Sequence, residues 1–189
     1  MGMPVLTDHE WTPEDIEALP DDGQRHECID GVHIVTPAPL EPHQAAIGEL
    51  FAAIRNYTTS AGIGRAYLSP ADLRLTPGAL VQPDLFVVRV LAGEARPRAW
   101  SEFRTIALAV EVLSPSTARH DRGLKRSYYQ RAGVEEYWIV DLDARLVERW
   151  RPADGRPEVV QGTLTWEPTG GDEALRIDLD ALFEEVLGR

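Results

Sequence analysis

Thr105-Ile106-Ala107-Leu108-Ala109-Val110-Glu111-Val112-Leu113 decides the fold. Apart from its first residue and Glu111, the run is apolar without alternation. It therefore predicts a central strand buried on both faces rather than a half-solvated one. Ser114-Pro115-Ser116-Thr117 breaks the strand and offers hydroxyl caps to a helix expected over Arg119 to Ala132, with Gly133 as its stop. Tyr137–Asp141 reads as the next buried strand, and Arg145–Trp150 as a further strand after a tight turn.

Upstream, Leu85–Val90 reads as a strand opened by Pro83-Asp84, and Arg65–Ser69 and Asp72–Thr76 as short strands before it. Ile47, Leu50, Phe51 and Ile54 recur at three and four residues, the apolar stripe of a helix that starts near His43 and ends at Gly62 and Gly64. Asp30-Gly31 between residues 26–29 and 32–36 is a two-residue hairpin turn. Thr12-Pro13-Glu14-Asp15 reads as an N-cap, a proline at N1 and an acidic first turn, so a short helix to about Leu19 is expected. A β-like stretch and a short helix after Asp178 close the chain. The order predicts an α/β (α+β) protein: a central mixed β-sheet flanked by helices, with an added N-terminal hairpin and a C-terminal β extension. One domain over residues 1–189, with its core at about 24–150, accommodates these elements.

Composition narrows the function. No apolar run is long enough to span a bilayer, and MGMPVLTDHEW has neither the basic start nor the apolar core of a signal peptide. Cys28 is the only cysteine, so an intrachain disulfide and a cysteine-rich zinc site are excluded; a reducing compartment, the cytoplasm, is expected. The net charge of −12 opposes a general nucleic-acid footprint. The charge is uneven, however. Residues 1–50 carry eleven acids and a single base, Arg25, whereas residues 89–131 carry nine bases, including Arg96, Arg98 and Arg104, against four acids. A local surface for an anionic ligand fits this asymmetry, as does plain solvated charge.

Three residues carry the chemistry. Glu111 is a carboxylate in an apolar strand, costly to bury unless it is paired or holds a metal. Asp84 opens a neighbouring strand, and two carboxylates facing one way make a hard oxygen site of the kind Mg²⁺ takes, with water and phosphate completing its shell. Lys125 is the only lysine, the other eighteen cationic side chains being arginine. A lysine is a compact charge that, unlike arginine, can give up its proton when buried. Asp121 lies four residues earlier on the same helix face, and Leu124 and Tyr128 are expected to pack on the sheet. Each residue also has a plainer reading. Pro-Asp is a common turn pair, Glu111 is equally satisfied by an arginine, and Asp121 with Lys125 makes an ordinary surface pair.

Glu27-Cys28-Ile29-Asp30-Gly31, His43 with its helix, Pro83-Asp84, Glu111-Val112-Leu113-Ser114-Pro115-Ser116-Thr117, Asp121 with Lys125, Tyr129, and Gly133-Val134-Glu135-Glu136-Tyr137-Trp138 together resemble the Uma-two family of restriction endonucleases. That family is a bacterial branch of the PD-(D/E)XK nuclease superfamily. The resemblance covers roughly residues 24–150, with a fainter match to the C-terminus. It implies a restriction-endonuclease-like core, Asp84 and Glu111 as metal ligands, and Lys125 as the catalytic lysine. The superfamily's usual lysine position, two residues after the acidic strand residue, is Leu113 here, so the resemblance implies a lysine relocated to the following helix. Glu27 and His43 are supporting candidates; Glu27 equally suits a hairpin pair with an arginine, and His43 a capping or surface role.

Two functions are therefore expected to compete. The first is an endonuclease that hydrolyses DNA phosphodiester bonds with Mg²⁺, or Mn²⁺ in its place. Arg119, Arg122 and Arg126 would meet the DNA backbone, and a homodimer would supplement a weak grip. The second is a non-catalytic binding or regulatory domain, its acidic N-terminal third turned to a protein partner and Trp11, Trp100 and Trp150 available as anchors. Another phosphate ester ranks last, since no Walker or glycine-rich nucleotide fingerprint occurs.

Overall fold

A computed structural model of the chain describes residues 9–90, 98–103 and 105–188. Glu94, Arg96 and Arg104 of the basic segment, and residues 1–8, lie outside them.

Six strands form one mixed sheet in the order β3 (Arg65–Leu68), β4 (Leu85–Val88), β5 (Ile106–Val112), β6 (Glu136–Asp141), β7 (Leu146–Trp150) and β8 (Glu158–Val160). Only β5 and β6 run parallel; every other neighbouring pair is antiparallel. As its composition predicts, all seven residues of β5 are buried. Side chains alternate between two cores. Leu108, Val110 and Val112 face the layer made by α2 (Glu41–Ala61) and α5 (Leu179–Leu187). Ile106 and Ala109 face the layer that holds Tyr128, Tyr129 and the N-terminal hairpin. Each large aliphatic side chain so enclosed contributes about 1.5–3 kcal/mol.

The crossover from β5 to β6 is α-helical at Ala118–His120 (α3), π-wound at Asp121–Lys125 and α-helical again at Arg126–Arg131 (α4). The extra residue in a π-turn shifts the helix face, a device common at functional sites. Here both ends of the turn, Asp121 and Lys125, point into the protein. The hydroxyls expected to cap this helix do not do so: Thr117 makes no side-chain cap bond, and Ser114 Oγ pairs with Ser116 and Thr117 hydroxyls instead.

The hairpin β1 (Arg25–Ile29) and β2 (Val32–Thr36) turns at Asp30 and Gly31, both at positive φ, as a two-residue turn of this type requires. It forms its own two-stranded sheet, apart from the six-stranded one, as expected of an added hairpin. Cys28 exchanges both backbone hydrogen bonds with Leu80 at 2.9 Å, which seats β1 beside the approach to β4. At the other end, β9 (Thr163–Trp166) and β10 (Leu175–Asp178) pair, and Asp178 caps α5. The short first helix is α1 (Pro13–Glu17), closed by a Thr12–Asp15 capping box.

One expected strand does not form. Asp72–Thr76 contributes only an isolated bridge, Leu73 to Val81, because the chain turns before a second pair can close. Trp150 is not a surface anchor either. Trp100 packs on Tyr67, Phe86 and Phe103, and Trp150 is buried beneath the Arg126 guanidinium. Trp11, like Trp100, is partly buried, its ring tilted against that of His33. No helix among the described residues is long and apolar enough to cross a membrane.

Candidate active site

The open end of the sheet gathers four carboxylates from four separate segments: Glu27 on β1, Asp84 just before β4, Glu111 on β5 and Asp121 in the π-turn. All are buried, as is Lys125 at 1% exposure. Asp84 is fixed by the sheet itself. The Val112 N–H donates to Asp84 Oδ2 at 2.9 Å, which holds the carboxylate beside the end of β5, one residue from Glu111. His43 Nε2 reaches the same oxygen at 3.2 Å, and Arg25 Nη1 donates to Oδ1 at 2.7 Å. Burial alone would raise the Asp84 pKa, but the His43 bond, the Arg25 charge and the Val112 N–H prevail and hold it at about 2.

Lys125 sits at the centre of the other three carboxylates. Its Nζ is 2.9 Å from Glu111 Oε1, 2.8 Å from Glu27 Oε2 and 3.7 Å from Asp121 Oδ1. Glu27 is itself braced, its Oε1 accepting the Gln82 N–H at 2.8 Å. The Tyr129 hydroxyl, fully buried, reaches Glu111 Oε1 at 3.3 Å. Burial by itself would push the lysine down, yet Glu111, Glu27 and Asp121 raise it above the ordinary lysine range. Lys125 therefore keeps its proton in this setting. Of the two roles a lysine offers here, the surroundings favour a fixed, compact positive charge.

The electrostatics are unbalanced. Four buried carboxylates face two permanent cations, Lys125 and Arg25, so two negative charges are uncompensated when all are ionised. The strain shows in the acids. Burial, with Asp84, Asp121 and Glu27 nearby, drives Glu111 well above its ordinary value, and burial likewise raises Asp121. Asp121 Oδ1 has no hydrogen-bond partner among the described residues. Hard oxygen donors with an excess of two negative charges fit a divalent cation of the Mg²⁺ type, which needs only one or two carboxylates. No group of three or more His, Cys, Asp or Glu side chains among the described residues is arranged to hold a metal ion, so any such cation would rest on fewer protein ligands.

A cleft of about 600 Å³ opens over this cluster. Arg25, His43, Asp84, Glu111, Asp121 and Lys125 line its floor, and the proline-rich stretch 37–42 and the loop 114–117 line its walls. Glu27 is not part of the lining; it supports Lys125 from behind.

The structure thus brings Asp84, Glu111, Lys125, Asp121, Glu27 and His43 together. It sets aside three of the plainer readings. Asp121 and Lys125 are not a surface pair, Glu27 meets a lysine rather than an arginine, and His43 is buried on Asp84 rather than displayed at the surface. The three helix arginines diverge. Arg122 lines the cleft but is tied to Asp141 and Glu148, each at 2.7 Å. Arg126 turns away, over Trp150 and towards Gln130. Arg119 is exposed and outside the lining. Sequence reasoning missed Arg25, although one signal was present: it is the sole base in the first fifty residues.

A six-stranded mixed sheet between helical layers, with carboxylates meeting at the strand ends, is the architecture of a nuclease-fold protein. The chain superposes on the crystal structure of a "putative nuclease" from Anabaena variabilis with a TM-score of 0.73, at 21% identity, over 93% of this chain and 99% of the other. The chain belongs to the Uma2 family, described as "Putative restriction endonuclease", whose model matches residues 13–180. That match extends on both sides beyond the 24–150 core expected from the motifs. No curated protein is significantly similar.

Proposed function

We propose that the protein is a Mg²⁺-dependent endonuclease, Mn²⁺ serving as a substitute, that hydrolyses DNA phosphodiester bonds in this cleft as a single domain. The observation that carries the reading is the buried cluster: Asp84, just before β4, and Glu111 on β5 are held side by side, with more acids than cations around them and Lys125 against Glu111.

Asp84 and Glu111 would hold the metal. When bound, Mg²⁺ supplies Lewis acidity to the phosphodiester and lowers the pKa of water. The chain's own groups do the rest. Lys125 keeps its proton at Nζ and stabilises the negative charge that builds on the phosphorus-bound oxygens. Glu27 and Tyr129 fix Lys125 and Glu111 in position, and His43 with the Val112 N–H orients Asp84. The stretches 37–42 and 114–117 would wall the substrate in over the floor.

Plasmid cleavage in Mg²⁺ tests the reading, with Asp84→Asn, Glu111→Gln and Lys125→Ala as controls. Nicking by the wild type, lost in all three folded variants, supports it. Persistent inactivity across duplex, single-stranded and supercoiled DNA favours a non-catalytic binding domain. The Arg25–Asp84 pair is the observation that gives that second reading weight, since the guanidinium covers an oxygen a metal would need.

A further inference from the structure

Asp84 has its two oxygens committed differently. Oδ2 accepts the Val112 N–H and meets His43, bonds that belong to the sheet and to α2. A cation could take Oδ2 only by displacing His43 or disturbing the backbone bond. Among the described residues, Oδ1 is held by one side chain, Arg25, at 2.7 Å. Arg25 in turn depends on Asp84. Its other contact, to the Gln82 carbonyl, is 3.4 Å long, and its Nε is buried without a hydrogen-bond partner among the described residues. The side chain is 20% exposed and lines the cleft floor. A guanidinium is a planar fork that matches two phosphate oxygens. The cleft's other cations are less available, Arg122 being paired with Asp141 and Glu148, and Lys125 being enclosed by three carboxylates.

We propose that Arg25 is the phosphate-holding residue of the cleft, and that it and the divalent cation exchange on Asp84 Oδ1. In the free protein Arg25 covers that oxygen and weakens cation binding. When a phosphodiester enters, the guanidinium turns to the phosphate, Oδ1 becomes free for the cation, and each ligand favours the other, as linkage requires. This inference rests on the reading of Asp84 as a metal ligand. It adds a substrate-binding role for a residue outside the two-carboxylate and lysine set, and a reason for cation and nucleic acid to bind together.

The test is a calorimetric Mg²⁺ titration of wild type, Arg25→Gln and Arg25→Lys without nucleic acid. It is followed by binding of a short labelled oligonucleotide in Ca²⁺, a hard cation that takes the same oxygen ligands. Arg25→Gln is expected to bind Mg²⁺ about fivefold more tightly, the scale of one partly exposed ion pair, and the oligonucleotide several-fold more weakly. Arg25→Lys keeps the charge without the fork, so its Mg²⁺ affinity stays near wild type while oligonucleotide affinity falls. Removing the positive charge alone would also tighten the cation site, so the oligonucleotide arm and Arg25→Lys carry the discrimination. Unchanged or weaker Mg²⁺ binding in folded Arg25→Gln overturns the exchange, and unchanged oligonucleotide binding overturns the phosphate role. If Arg25→Gln does not fold, Arg25→Lys decides: undiminished oligonucleotide affinity there overturns the proposal. Wild type that binds no Mg²⁺ with or without the oligonucleotide overturns the metal-site reading first, and this proposal with it.

Discussion

Lys125 Nζ donates to Glu111 Oε1 at 2.9 Å, joining the π-turn of the crossover to the central strand inside the protein. Because Glu27 and Asp121 flank the same ammonium, removing it leaves three buried acids without their shared cation. Lys125→Met is therefore expected to lower stability by about 3 kcal/mol, the scale of breaking a buried pair from one side. Adding Glu111→Gln should recover part of that loss, a coupling that a double-mutant cycle measured by urea unfolding reads directly. Additive losses would mean that the two groups do not interact as their geometry indicates.

Gly64 precedes β3 where it runs beside the end of β4. A Cβ at this position would fall 2.2 Å from the Val88 carbonyl oxygen, which is backbone and cannot swing aside. Gly64→Ala should cost about 2 kcal/mol or more, as overpacking does. A chemical-denaturation midpoint equal to that of wild type would contradict the close approach.

Asp178 accepts the Ala181 N–H at 3.0 Å and so caps α5, which covers one face of the sheet. Asp178→Ala is expected to lose about 1 kcal/mol. Asp178→Asn should retain most of the stability, since the amide oxygen can accept the same bond, and thermal melts of the two variants separate the cap from a charge effect.

Asp22 accepts hydrogen bonds from His26 and from the Gln24 backbone and side chain, which pull its pKa from 3.8 to about 2. A depressed carboxylate stabilises the folded state above its unfolded pKa and loses that contribution as pH falls. The contribution should therefore be complete above pH 3.8 and gone once pH passes below about 2. Carbon-13 carboxyl titration should find Asp22 midway near 2 in wild type and at a higher value in His26→Ala.

Most of the fold was legible in residue chemistry. The apolar run at 106–112 declared a strand buried on both faces, and Asp30-Gly31 could accept the positive φ of the hairpin turn. Asp72–Thr76 misled because its alternation looks like a strand, whereas strand formation needs a partner over several residues and only Leu73 finds one. Within the site, the lone lysine and the strand carboxylate stood out by composition. Arg25 stood out only as the sole base of the first fifty residues and His43 only through the family resemblance, because their roles come from packing distant segments together: α2 and β1 deliver them to Asp84, which lies about forty to sixty residues on in the chain. The π-turn was invisible for a similar reason, since it redirects Lys125 without changing the helical pattern of the sequence.

The most direct test of the central claim is a calorimetric titration of the purified protein with Mg²⁺ and Mn²⁺, in wild type, Asp84→Asn and Glu111→Gln, with a short DNA duplex present in a parallel series. The account predicts binding in the wild type, strengthened by the duplex, and its loss in both folded variants. Wild-type protein that takes up no cation in either series, or binding that survives both substitutions, would contradict the claim that these two carboxylates form a metal site.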